Sequence, residues 1–220
     1  MLQRAKYLFY YLYSFLWCLR YLCIRQAFYV PVLVHPRVKV AKLHKGSICF
    51  NTPLRHGLLT IGFDGTIGRS NCQTIISISK GGKFIVGENV LMARGTRLVI
   101  GERGVMIIGN NFWCNCDCYF NCTTKVIIGD NNMYGWNVGF NTSDGHSVYV
   151  NGLKKTMDGN ITVENHVWIA SNCTITKCAY IAEDCVLTQK SLINKAFNTP
   201  RCMIGGIPAK VLKEGVTWSA

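Results

Sequence analysis

The chain is short of acid. Eleven Asp and Glu residues stand against 24 Lys and Arg in 220 residues, giving a formal net charge of +13. Such an imbalance favours anionic partners: phosphorylated cofactors, nucleic acid or an anionic membrane surface. The basic residues do not gather in one dense block. They form loose groups at Arg4 and Lys6, from Arg37 through Lys39 and Lys42 to Lys45, and at Lys154 and Lys155. No nucleic-acid recognition motif accompanies them, so nucleic acid is not an expected partner. Charged residues make up only 16% of the chain and hydrophobic ones 49%, which excludes a disordered, solvating polymer.

Other absences narrow the chemistry. There is no GxxxxGK[ST] or GxGxxG, hence no phosphate-binding glycine loop of either common kind. There is no GxSxG elbow. No carboxylate cluster suggests a metal. The twelve cysteines include no CxxC pair, and no histidine sits at ligand spacing from them. In an extended strand, Cys114, Cys116 and Cys118 fall on one face, where they read as small apolar fillers. Reduced thiols in this number imply a cytoplasmic compartment.

Residues 1–34 have no glycine, and Pro31 is the first proline of the chain. Leu8, Leu12, Phe15, Leu16, Leu19 and Leu22 recur at helical spacing, with Tyr10, Tyr13, Trp17 and Tyr21 on the other side. The uncharged run extends only from Tyr7 to Leu19, whereas a spanning helix needs about 20 residues. No small-x-small cleavage site follows it. An amphipathic helix lying in a membrane interface and a helix docked on protein both fit this pattern. A tilted span with Arg20 snorkelling is a third reading. Pro31 and Pro36 end the helix, and residues 35–60 are expected to form capping strands.

From Ile61 a repeat takes over. Its units start with an aliphatic residue followed by Gly or a small or acidic residue: Ile67-Gly68, Val86-Gly87, Ile108-Gly109, Ile128-Gly129, Val163-Glu164 and Ile181-Ala182. They come about 20 residues apart, except for one gap of about 35 that holds an inserted loop, residues 141–160. A unit this short holds three short strands and tight corners, which is one coil of a β-solenoid. The expected class is all-β, with coils over residues 61–204 and a C-terminal tail or short helix over 205–220. Corner glycines accept positive φ. Asn89, Asn110, Asn111, Asn131, Asn132 and Asn165 follow the unit starts, and Asn tolerates left-handed corners and can ladder its amide.

Three blocks carry a family resemblance: Ser143-Asp144-Gly145-His146-Ser147, Val167-Trp168-Ile169-Ala170-Ser171-Asn172 and Ile204-Gly205-Gly206-Ile207-Pro208-Ala209-Lys210. In that order they resemble the hexapeptide-repeat acyltransferases, and within them the sugar O-acetyltransferases. The resemblance implies a left-handed parallel β-helix, although crossovers between parallel strands are otherwise right-handed. It further implies a homotrimer with sites between subunits, and acetyl-CoA as co-substrate without a metal. The chain departs from the family at Thr188-Gln189-Lys190-Ser191, where Gly-Ala-Gly-Ser is frequent, at Ala170, and at Gly206-Ile207.

The chemistry that follows is brief. A sugar hydroxyl attacking a thioester must lose its proton, and a neutral imidazole with a pKa of about 6.5 is a suitable base. His146 takes that role, with Asp144 placed to accept from its ring and fix the tautomer. Asp144 also fits an Asx-turn before Gly145. Asn141 is a candidate for holding the acceptor. Trp168 alternates with Val167 and Ile169 and so points outward, to line the pantetheine groove or to pack on a subunit. Lys190 and Lys210 are candidate phosphate partners, and the amides of Ala170 and Gly206 candidate contacts to pantetheine. His166 is a rival base; His35, His44 and His56 carry no motif. The leading function is O-acetylation of a surface-polysaccharide sugar or its precursor, near the cytoplasmic membrane face. An N-acetyltransferase acting on an amino sugar or antibiotic, and a catalytically silent scaffold, are the alternatives.

Overall fold

The computed structural model describes residues 2–63, 65–66 and 72–219, with side chains from Lys6 onward. It is a stack of three-stranded coils forming a triangular prism. Three parallel sheets make its walls: A with nine strands, B and C with seven each. Each coil contributes one strand to A, then B, then C. This is the left-handed β-helix of hexapeptide-repeat proteins.

The stack begins earlier than the repeat suggests. Val32–Val34, Lys39–Lys42 and Ile48–Phe50 already form a first coil, paired in parallel with Leu59–Ile61, Ile75–Ile78 and Lys83–Val86. Within residues 35–60, Lys39–Lys42 and Ile48–Phe50 are the end strands of sheets B and C. Their signal was hidden because the corner after Phe50 is long and the strand Lys39–Lys42 is mostly exposed. The Ile67-Gly68 start lies outside the described residues. Phe50 holds the corresponding rung, opposite Val86.

The remaining starts form one continuous column on sheet C. Val86 pairs with Ile108, Ile108 with Ile128, Ile128 with Val163, and Val163 with Ile181. All five are buried. Their glycines serve close approach, not positive φ: a Cβ on Gly109 would collide with the Asp130 carboxylate of the next coil. The left-handed conformation falls instead on the residue three past the start, at Asn89, Asn111 and Asn131. Their side chains ladder, Asn89 donating to Asn111 at 3.1 Å and Asn111 to Asn131 at 3.0 Å.

The true N-terminal cap is α1, Leu2–Tyr21, followed by the short α2, Ile24–Ala27. α1 docks through the side bearing Ser14, Trp17 and Cys18, all buried. The Val34 amide donates to Ser14 Oγ at 3.0 Å, and Cys18 Sγ donates to the Val32 carbonyl at 3.5 Å. The docked helix leaves Leu8, Leu12 and Leu16 uncovered, at 60%, 50% and 63% exposure. No helix among the described residues is long and apolar enough to cross a membrane. At the other end the chain turns back as a strand, not a helix: Ala209–Glu214 pairs antiparallel with Cys202–Gly206.

The prism is filled by aromatic residues in its middle. Phe120 and Phe140 stack at 5.2 Å, Tyr134 and Phe140 at 5.5 Å, and Phe112 meets Tyr134 edge-on at 5.0 Å. Cys114, Cys116 and Cys118 are buried fillers as expected, but they wrap a corner: the strand Phe112–Cys114 ends before the other two. No disulfide joins the cysteines among the described residues.

Candidate functional site

The inserted loop leaves the wall at the edge between sheets B and C, after Gly139–Asn141, and returns at Ile161–Val163. Its tip is a hairpin, Tyr149–Val150 against Leu153–Lys154. The turn Asn151-Gly152 has positive φ at both residues, as a type I′ turn requires. Nearer the wall, Ser143 bridges Asp158, and the Gly145 amide donates to Ser143 Oγ at 3.1 Å. These contacts hold the base of the loop in one shape, with His146 exposed beyond it.

Asp144 is engaged, but not by the imidazole. Lys177, on the next coil, donates from Nζ to Asp144 Oδ2 at 2.5 Å and also to the Thr156 carbonyl. The expected Asp144–His146 hydrogen bond is absent from the described residues. In its place a lysine ties both limbs of the loop to the wall. Sequence reasoning missed Lys177. A lysine in a corner carries no motif, and its partners are more than 20 residues away in sequence.

Asn141 closes the wall strand beneath the loop. Its Oδ1 accepts from Asn121 Nδ2 at 2.9 Å, which orients the amide along the outer face of sheet B. Trp168 points outward and is 40% exposed, between buried Val167 and Ile169. It continues an outer column on sheet A through Leu91, Trp113 and Met133.

Ala170, Lys190 and Gly206 lie on successive coils just past the aligned sheet A residues Ile169, Leu187 and Ile204, though not in register with one another, and Lys210 lies opposite Gly205 on the returning strand. Lys190 sits at φ +61° and is exposed. The two backbone amides expected to grip pantetheine are already used. Ala170 N–H donates to the Leu187 carbonyl at 3.0 Å, and Gly206 N–H to Ser191 Oγ at 3.2 Å. Stacking each coil on the next consumes these donors. The lysine side chains of this edge remain exposed.

The rival histidine, His166, has the more ordered setting. Its Nδ1 lies 2.7 Å from Asp184 Oδ1, and its ring stacks on Trp218 at 4.3 Å and 8°. Trp218 Nε1 donates to the His166 carbonyl at 3.0 Å. His166 occupies the left-handed corner position that Asn131 holds one coil earlier, at φ +54°. Its partners lock a corner and clamp the C-terminal tail, so it continues the corner ladder. The role of Trp218 left no signal in the sequence, because a lone tryptophan in a tail has no periodic neighbours.

Fold and corner chemistry together are those of a left-handed hexapeptide-repeat β-helix, and the chain belongs to one family with an uncharacterized protein of a cps region. It is 32% identical over 205 residues to an uncharacterized 24.8 kDa protein in the cps region of Klebsiella pneumoniae, covering 90% of this chain and 86% of the relative. Among solved structures, the polysialic acid O-acetyltransferase OatWY shares the fold with a TM-score of 0.52 and 21% identity, over 86% of this chain and 87% of that one. A hexapeptide-repeat acetyltransferase of Vibrio cholerae, solved with acetyl coenzyme A, aligns with a TM-score of 0.40 and 24% identity over 55% of this chain; the match spans 60% of that protein's length. No family model matches the chain.

Proposed function

We propose that this protein transfers an acyl group, acetyl in the simplest case, from coenzyme A to a hydroxyl of a surface-polysaccharide sugar or its precursor. His146 is the general base. The observation that carries this reading is an exposed imidazole held out from a rigid wall on a loop whose root is fixed by Lys177. The shared fold with a polysialic acid O-acetyltransferase and the relative from a cps region support a polysaccharide acceptor.

The chemistry is direct. His146 takes the proton as the sugar oxygen attacks the thioester carbon. The new C–O bond forms, the tetrahedral intermediate expels sulfur, and the imidazolium returns its proton to the leaving thiolate. Thiolate is a good leaving group, so no covalent enzyme intermediate is needed. Asp144, already bound to Lys177, sets the backbone of the loop. Asn141 lies beneath the loop on the acceptor side. Trp168 lines the pantetheine path, and Lys190 and Lys210 take the coenzyme phosphates.

Within one chain these groups stand apart. The loop rises from the edge between sheets B and C, whereas Trp168 lies on sheet A and Lys190 on the edge between A and B. A homotrimer, in which the loop of one subunit meets the lysine edge of the next, completes the site. The exposed leucines of α1 hold the enzyme peripherally at the cytoplasmic membrane face. The test is transfer of labelled acetyl from acetyl-CoA to de-O-acetylated oligosaccharides and, in parallel, to amino sugars. Mass or label must be read, because a chain with twelve cysteines would confound a thiol reagent. Label on hydroxyl acceptors supports the reading; label confined to amines moves the activity to N-acylation. No transfer, with no thermal stabilisation by coenzyme A, would leave a scaffold.

A further inference from the structure

A hollow of the molecule lies among residues remote from the inserted loop. It lies where α1 crosses the first coils, has a volume of about 1250 Å³, and is bordered by Gly62, Phe63, Gln73 and Thr74. We infer that it is a binding site for a phosphate ester, held by Lys6, Arg37 and Arg94 against a cluster of rings formed by Tyr10, His35 and Phe63. This inference stands independently of the acyl-transfer reading.

Four observations converge on it. The first is charge. Lys6, Arg37, Lys39 and Arg94 line the hollow. Cations at such density repel one another unless an anion joins them. The second is an orphan donor. Arg94 Nε is buried and has no hydrogen-bond partner among the described residues. A buried charged donor is costly to leave unsatisfied. The Arg94 backbone is fixed at both ends, its amide donating to the Phe63 carbonyl and its carbonyl accepting from the Asp117 amide, so the side chain starts from a set point on the wall. A guanidinium fork matches phosphate oxygens better than any neutral ligand.

The third observation is the wall. Tyr10, His35 and Phe63 form a triangle with centroid distances of 5.5, 5.2 and 5.1 Å. Such a cluster gives an apolar floor on which the organic part of an ester can lie. The fourth is electrostatic. Burial, and then the charges of Arg37, Lys6 and Arg94, lower the pKa of His35. Three cations on three different elements therefore act on one point.

One helix carries both Lys6 and the uncovered Leu8, Leu12 and Leu16. The phosphate ester then has two possible sources, a lipid headgroup reached from the membrane or a soluble ester such as a sugar phosphate. The chemistry of recognition is the same for both.

The experiment uses the full chain and needs no turnover. Inorganic pyrophosphate is titrated against thermal unfolding of the parent, Arg94→Gln and Arg37→Gln, the second lying at an exposed position that leaves folding intact. The expected result is a rise in Tm for the parent, with apparent affinity weaker by roughly tenfold or more in each variant, the loss of one charge-assisted contact. Flotation then assigns the source. Binding to vesicles of phosphatidylcholine with phosphatidylglycerol, but not phosphatidylcholine alone, with pyrophosphate as competitor and loss in both variants, identifies a headgroup. Vesicle binding indifferent to the two arginines, together with an arginine-dependent pyrophosphate shift, identifies a soluble ester. An equal pyrophosphate shift in all three proteins, or none at millimolar concentration, overturns the site.

Discussion

The wall beneath the inserted loop and the loop itself are neighbours in space and opposites in construction. At the level of Tyr134 and Phe140 the interior is packed with rings that are almost wholly buried. From Asp144 to Thr156 every residue is exposed, and only a few hydrogen bonds and Lys177 hold the loop. The wall derives its stability from burial; the loop adds little and is free to carry chemistry. A fold of this kind separates the residues that must pack from those that must react.

Mutations should fall on one side of that division or the other. The largest effect is expected in the wall. Phe140→Ala removes a ring stacked on two others and should cost about 3–5 kcal/mol by denaturant unfolding. A loss below about 1 kcal/mol would mean that the interior is not tightly packed there. Alkali should attack the same region. Burial raises the Cys122 thiol from 9.0 to about 11, and also raises Cys118 and Tyr134. Each group keeps its proton longer folded than unfolded. The Cys122 contribution is therefore complete below pH 9 and lost as pH rises from 9 toward 11. Stability unchanged across that window would contradict burial of these groups.

The loop should behave in the reverse manner. His146→Ala is expected to lower turnover by roughly 100-fold, about 2.7 kcal/mol of barrier, without moving the unfolding midpoint. A fully active variant would remove His146 from the mechanism. Lys177→Met should cost about 1 kcal/mol or less in stability, because the pair it breaks is partly exposed. It should slow turnover several-fold, read as a fall in kcat greater than any change in coenzyme KM. The smallest effect returns to the wall. Tyr134 carries a buried hydroxyl with no partner among the described residues, so Tyr134→Phe should be neutral or stabilising by up to about 1 kcal/mol. A clear destabilisation would show that the hydroxyl is satisfied.

The same division governs what could be read from sequence. Wall periodicity was legible because each rung repeats: the column from Val86 to Ile181 and the Asn89–Asn111–Asn131 ladder both follow from counting. The first coil was not, since its corners are irregular and Phe50 replaces the expected aliphatic residue and glycine. The apolar stripe of α1 was correctly marked, yet much of it faces away from the protein, and the docked face is held by Ser14 and Cys18. In the loop, His146 and Asp144 drew attention by type and spacing. The pairing of Asp144 with Lys177 did not, because a contact across two coils is written nowhere in local sequence. Nor was the hollow under α1 visible, as Lys6, Arg37 and Arg94 come together only once the helix folds back over the stack.

The returning strand Ala209–Glu214 has one more meaning. A pile of parallel rungs is a template that never says stop, and its last rung invites any passing chain to continue the pile. By running backward, this strand occupies the final edge of sheet A with the wrong polarity for another turn. Removing it would uncover a growing tip, and the protein would be at risk of lengthening into fibres.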